Sequence, residues 1–154
     1  MTKKPVPLPV STGYWLLKSE PDVFSYDDLE KLGRKGQYWD GVRNYQARNN
    51  MRAMKLGDKG FFYHSNEGKN VVGIVEVIAV AHPDPTDGTG TWECVDVRAV
   101  ERMPKPVSID DAKENPKLAD MVLINNSRLS VQPVEPAEWA EVCRMGGLKT
   151  KPAK

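Results

Sequence analysis

Val71-Val72-Gly73-Ile74-Val75-Glu76-Val77-Ile78-Ala79-Val80 is a run of ten residues with a single charge, dominated by β-branched side chains. Such a run has no polar face to offer water, so it predicts a central strand. The sequence on either side reads in the same way. Phe61-Phe62-Tyr63-His64 predicts a strand between turns at Leu56–Gly60 and Ser65–Gly68. Pro83–Gly90 is a loop with two prolines and two glycines, and Thr91–Arg102 predicts another strand. Its faces are both mixed: Trp92, Cys94, Asp96 and Arg98 alternate with Glu93, Val95, Val97 and Ala99, so the pattern does not choose the buried side.

Further out, Tyr14-Trp15-Leu16-Leu17 is a short aromatic-rich strand that Glu20-Pro21 ends, because the residue before proline avoids helical geometry. Ser25 with Asp28 resembles a capping box opening a short helix through Leu32, with Gly33 as its stop. Tyr38–Arg43 reads as a loop. Asn44 caps a helix over about Tyr45–Met54, whose Ala47, Met51 and Met54 face the core beside a polar stripe of Asn44, Arg48, Arg52 and Lys55. Ser108 with Asp111 predicts another capped helix ending at Asn115. Met121–Ile124 and Ser130–Val134 read as strand-like pieces, and Pro136 opens a last helix over Ala137–Met145 closed by Gly146-Gly147.

The 154 residues are the length of one ordinary domain, and 40% hydrophobic with 28% charged residues permits a packed core. Gly and Pro number 12 each, which favours turns and short strands over a helical bundle. The pattern predicts an α+β domain over residues 13–148: a compact, partly closed mixed β-barrel of five to six strands decorated by short helices. Residues 1–12 are expected to form a disordered lead-in and 149–154 a basic tail. No run of eighteen apolar residues exists and Met1–Val10 lacks the apolar core of a secretory signal, so no membrane partner is expected. With only Cys94 and Cys143, a reducing compartment is expected: cytoplasm for a bacterial chain, nucleus for a eukaryotic one. Both cysteines are expected to pack as small hydrophobes, and Trp92 and Trp139 to pack in the core, with an interface as the alternative.

A net charge of +1 hides a division. Residues 31–59 carry a net +6 and residues 84–114 a net −4, and a local basic sector attracts polyanions. His64 and His82 lie 18 apart without metal-site spacing, no GxSxG turn exists, and no Gly-rich phosphate loop is present, so neither metal nor cofactor is expected. Four polar clusters fall at the ends of predicted strands, where binding loops gather: Lys18–Pro21, Trp39–Asn44, Tyr63–Asn66 and Ser127–Ser130.

Tyr14-Trp15-Leu16-Leu17-Lys18-Ser19-Glu20-Pro21, Trp39-Asp40-Gly41-Val42-Arg43-Asn44 with Ala47-Arg48-Asn49, Phe62-Tyr63-His64-Ser65 and Ser127-Arg128-Leu129-Ser130-Val131 closely resemble the signature segments of the EVE domain family, in order and over about residues 13–147. The resemblance implies a PUA-like fold related to YTH and ASCH domains, and recognition of a modified base in nucleic acid. By similarity, Lys18 and Ser19 match a strand-end Lys-Ser and Trp39 a cage tryptophan, with Tyr63, Trp15 and Leu129 as further walls. Asp40, Val42, Asn44 and Ser65 complete the expected base pocket. Arg43, Arg48, Arg52, Lys55 and Arg128 are expected to hold flanking phosphates. The expected function is a non-catalytic reader of modified cytosine in DNA. The alternatives are an RNA-binding module, or an enzyme or small-molecule binder using the same pocket with His64, Lys18 or Glu20 as acid or base.

Overall fold

The computed structural model describes residues 12–65, 68–126 and 128–148. Apart from Thr12, the expected lead-in and tail lie outside these residues, as do Asn66 and Ser127. Along the chain run β1 (Tyr14–Ser19), α1 (Tyr26–Lys31), β2 (Gln37–Tyr38), α2 (Tyr45–Ala53), β3 (Lys59–His64), β4 (Asn70–Pro83), β5 (Glu93–Ser108), α3 (Ile109–Glu114), α4 (Val122–Asn125), β6 (Val131–Pro133) and α5 (Pro136–Met145). The strands form one mixed sheet in the order β2-β5-β4-β3-β1-β6, open at both edges. β1 runs parallel to β3, and every other neighbouring pair is antiparallel.

Strand alternation sorts the apolar residues into two cores. Trp15, Leu17 and Phe62 point to the face covered by α1 and α2, with Val75, Val77, Val95 and Val97. Tyr14, Leu16, Phe61 and Tyr63 point to the other face, covered by α3, α4 and α5. The run at Val71–Val80 lacks a polar side because both faces of β4 are buried along most of that length. On the second face Trp139 stacks between Tyr14 and Phe61, with ring centroids 4.5 and 3.9 Å away. Trp92, by contrast, is half-buried and stacks on Tyr45 at 4.8 Å outside either core. Cys94 and Cys143 are buried free thiols, both pushed up to about 12, chiefly by burial.

The capping residues act as their chemistry dictates. Ser25 and Asp28 form a reciprocal capping box on α1, and the Asn44 and Ser108 side chains accept from Ala47 N–H and Asp111 N–H. Pro136 opens α5. Three expectations about the elements need correction. Met121–Ile124 is no strand: Val122–Asn125 is one helical turn, closed by Ile124 and Asn125 N–H groups donating to the Met121 carbonyl. Four apolar residues are too few for periodicity to decide. The strand read as ending at Arg102 continues to Ser108, because Pro104 and Pro106 fall within a register shift opposite Val71–Gly73 and the Lys105 N–H turns away to Gly146 O. Gln37–Tyr38, at the start of the expected loop, pairs with β5.

The sheet is strongly coiled. β2 and β1 are four strand spacings apart, about 19 Å in a flat sheet. Yet Gln37–Asp40 and Lys18–Ser19 line one cleft. Four register shifts between β4 and β5 supply the extra twist. Two glycines permit the close approaches this needs. At Gly36 (φ 64°) a Cβ would lie 2.1 Å from the Val97 carbonyl oxygen, where β2 joins β5. At Gly73 it would lie 2.3 Å from the Tyr26 ring, which lies against β4 and donates its hydroxyl to Ile74 O at 2.8 Å. Gly73→Ala is therefore expected to cost about 1–3 kcal/mol, read as a lower urea midpoint with an unchanged slope. An unaltered midpoint would show that the Tyr26 contact is not tight.

Candidate functional site

Parallel pairing sets Lys18 beside Tyr63 and Ser19 beside His64. The Ser65 N–H donates to Ser19 O and the Lys18 N–H to Ser130 O, each at 2.9 Å, so the start of β6 joins them. Three of the four polar clusters thus meet at one end of the sheet. The fourth arrives across the sheet face. Trp39 is anchored by its N–H to Val95 O at 2.8 Å and meets Phe62 edge-on at 5.4 Å and Phe24 at 6.4 Å. It is 7% exposed, and the rest of its ring belongs to the core.

Two clefts open here, one on each side of the end of β1. The smaller, about 280 Å³, has Trp39, Ser19, Lys18 and Asp40 in its walls, with Phe24 and Gln37. Val23 and Tyr38, 75% and 41% exposed, form an apolar rim. The Ser19 hydroxyl donates to Phe24 O at 2.6 Å, which commits its proton and leaves its oxygen as an acceptor. The larger, about 630 Å³, is lined by Lys18, Tyr63 and Ser65 together with residues of the β3–β4 turn, α3 and α4. Lys18 is half-buried and lines both clefts; desolvation lowers its pKa. Its Nζ lies 5.6 Å from the Tyr63 ring centroid. Burial and then Asp110 push the Tyr63 phenol up.

The other expected pocket residues stand apart from these clefts. Trp15 is fully buried and donates its indole N–H to Asp58 at 2.9 Å. Val42 and Leu129 belong to the first core, and Asn44 is the cap of α2. The expected phosphate-binding arginines have partners within the fold. Arg43 pairs with the buried Asp84 at 3.1 Å, Arg52 with Glu93, and Arg48 donates to Thr91 O at 2.8 Å. Lys55 and Arg128 are exposed. Sequence reasoning missed Phe24, although an apolar residue just before a helix cap is a recognisable staple position. It also missed Val23, Gln37 and Tyr38, which carry no motif.

His82, Cys94 and Asp96 place their possible ligand atoms within 4.8 Å of one another, a proximity created by β4–β5 pairing. Burial, and then Asp84 and Asp96, raise the pKa of the Cys94 thiol. No helix among the described residues is long and apolar enough to cross a membrane.

A coiled mixed sheet with helices on both faces and a pair of clefts at one end defines an α+β domain of the PUA-like type. The EVE domain model matches residues 13–145, and the chain belongs to the EVE domain family. Rat thymocyte nuclear protein 1 is 36% identical over an alignment of 160 positions, spanning 83% of this chain and 71% of that protein. A solved structure from Agrobacterium tumefaciens is 61% identical with a TM-score of 0.88, covering 92% of this chain and 98% of that one. Human THYN1 in complex with 5-methylcytosine-containing DNA is 34% identical with a TM-score of 0.80, covering 90% and 99%.

Both histidines make the domain sensitive to pH, in opposite directions. His64 Nε2 accepts the Tyr26 N–H at 3.1 Å, and burial lowers its pKa below the ordinary 6.5. As pH falls through that value the unfolded chain takes up its proton first, so the contribution of His64 is full above it and lost below. His82 is hydrogen-bonded to Asp96 at 2.7 Å, which raises its pKa, so its contribution is present at low pH and fades as pH rises through the folded value. In a His82→Gln variant the urea midpoint is expected to fall from about pH 7 to 5.5, and adding His64→Gln to flatten that fall. A flat profile in the single variant would remove the role assigned to His64.

Proposed function

We propose that this domain is a non-catalytic DNA-binding module that receives one modified cytosine, 5-methylcytosine first, in the Trp39 cleft. The observation that carries the reading is the Trp39 indole in the wall of a base-sized cleft beside Ser19 and Lys18. The complex of human THYN1 with 5-methylcytosine-containing DNA supports it.

Extruding a base costs a few kcal/mol, and stacking on an aromatic ring returns about 1–3 kcal/mol. In this reading the Ser19 oxygen accepts from an exocyclic amino group, and Lys18, whose ammonium lies over the Tyr63 ring, adds positive charge at the edge of the cleft. A methyl group against the apolar walls gains about 0.8 kcal/mol, roughly a fourfold preference from burial alone. His64, the acid–base candidate, already uses Nε2 to accept the Tyr26 N–H, which supports binding over catalysis.

Fluorescence anisotropy with duplexes carrying cytosine or one 5-methylcytosine, at several salt concentrations, tests the reading, with RNA of the same sequence as competitor. Preference for the methylated DNA is expected. Trp39→Ala is expected to abolish that preference and to weaken binding by about 5- to 150-fold. Equal affinity of the unaltered protein for both duplexes, or full selectivity in Trp39→Ala, would overturn it; displacement by RNA at lower concentration would move the substrate class to RNA.

A further inference from the structure

We propose that the larger cavity is a second nucleotide site, taking the phosphodiester and nucleoside next to the base held by Trp39. Its position as a neighbour rests on the reading of the Trp39 cleft; its charge and shape do not.

Lys18, Lys69 and Lys113 and the carboxylate of Asp110 line it among the described residues. Among the described residues neither Lys69 nor Lys113 is within ion-pair distance of a carboxylate, unlike Arg43 and Arg52. Such a pair of unmatched cations calls for an anion. The cavity is also more than a patch. Tyr63 and Leu123 give it apolar walls, and its 630 Å³ lies within the range of about 300–1,000 Å³ typical of small-molecule sites. A sugar and base would lie on those walls with the phosphate towards the lysines. Lys69 is held in place: its backbone is left-handed (φ 46°), fixed by the Ile109 N–H donating to its carbonyl at 2.9 Å.

The relation between the two clefts follows from alternation along β1. Ser19 points to the Trp39 face and Lys18 to the Tyr63 face, so the end of β1 divides the clefts and Lys18 lines both. A strand with one base in the first cleft passes over this edge, and its next nucleotide meets the second. One strand therefore bridges the two faces of the sheet.

The test uses the full chain and a Lys69→Gln/Lys113→Gln variant. The probes are 5-methyl-2′-deoxycytidine, a single-stranded trinucleotide with 5-methylcytosine in the middle, and inorganic phosphate. Losing the one phosphate that these lysines neutralise on a single strand should make the slope of log K against log salt shallower by about 0.7 and weaken trinucleotide binding roughly fivefold at 0.1 M salt, with the difference vanishing towards 1 M. The nucleoside, which has no phosphate, should bind both proteins equally. Amide resonances of Ser65, Lys69 and Leu123 should shift with the trinucleotide. An unchanged slope with unshifted resonances overturns the proposal. Shifts produced equally by inorganic phosphate, with no gain from the strand, overturn it in favour of a free-anion site. A protein that ignores cytosine methylation yet loses the slope in the variant refutes the base reading and keeps the second site.

Discussion

One parallel strand pair organises this molecule. Antiparallel pairing of β1 with β3 would have sent Lys18–Ser19 and Tyr63–His64 to opposite ends of the sheet. Parallel pairing brings the two exits side by side and lets β6 begin against them. It also imposes a long connection, since parallel neighbours cannot be joined by a tight turn. That connection, between Ser19 and Lys59, contains α1, β2 and α2, and it carries Phe24 and Trp39 back over the sheet face. The aromatic wall of the smaller cleft and its polar neighbours Lys18 and Ser19 are therefore consequences of one topological choice, with coiling of the long β4–β5 ribbon bringing β2 within reach.

Electrostatics tells a similar story of long-range pairing. Along the chain, a basic stretch at 31–59 and an acidic stretch at 84–114 look like separate sectors. Folding places them against each other. Arg43 meets Asp84 and Arg52 meets Glu93 across about 41 residues, while Arg48 stacks on Tyr45 and reaches Thr91. Asp84 has its side chain fully buried, with Thr86 and the Gly41 N–H as further partners, and its pKa lies below the usual carboxylate range. This ion pair tethers the loop after β4 to the segment that leads from Trp39 into α2. Among the described residues, Lys69 and Lys113 beside the larger cavity stand outside this pairing.

What the sequence made legible was governed by local chemistry. Ser25, Asn44, Ser108 and Pro136 announce helix starts because a cap is a contact over two or three residues. The strand at 71–80 announces itself because burial on both faces removes every polar requirement. The hidden parts depend on partners far along the chain. The β5 extension past Pro104 and Pro106 needs a register shift in β4 and an acceptor at Gly146, and the turn at Val122–Asn125 has no period of its own. In the site, Lys18, Ser19 and Trp39 stood within recognisable segments, whereas Lys69 and Lys113 come from stretches with no motif and meet only in three dimensions. Trp15 and Leu129 belong to those same segments for a packing reason: both are buried in the first core.

The double membership of Lys18 couples the two chambers. A side chain that serves as a party wall cannot be exchanged in one chamber without refitting the other. A substitution at Val23, Phe24, Gln37, Tyr38 or Asp40 reshapes the Trp39 chamber alone, whereas one at position 18 reshapes both at once.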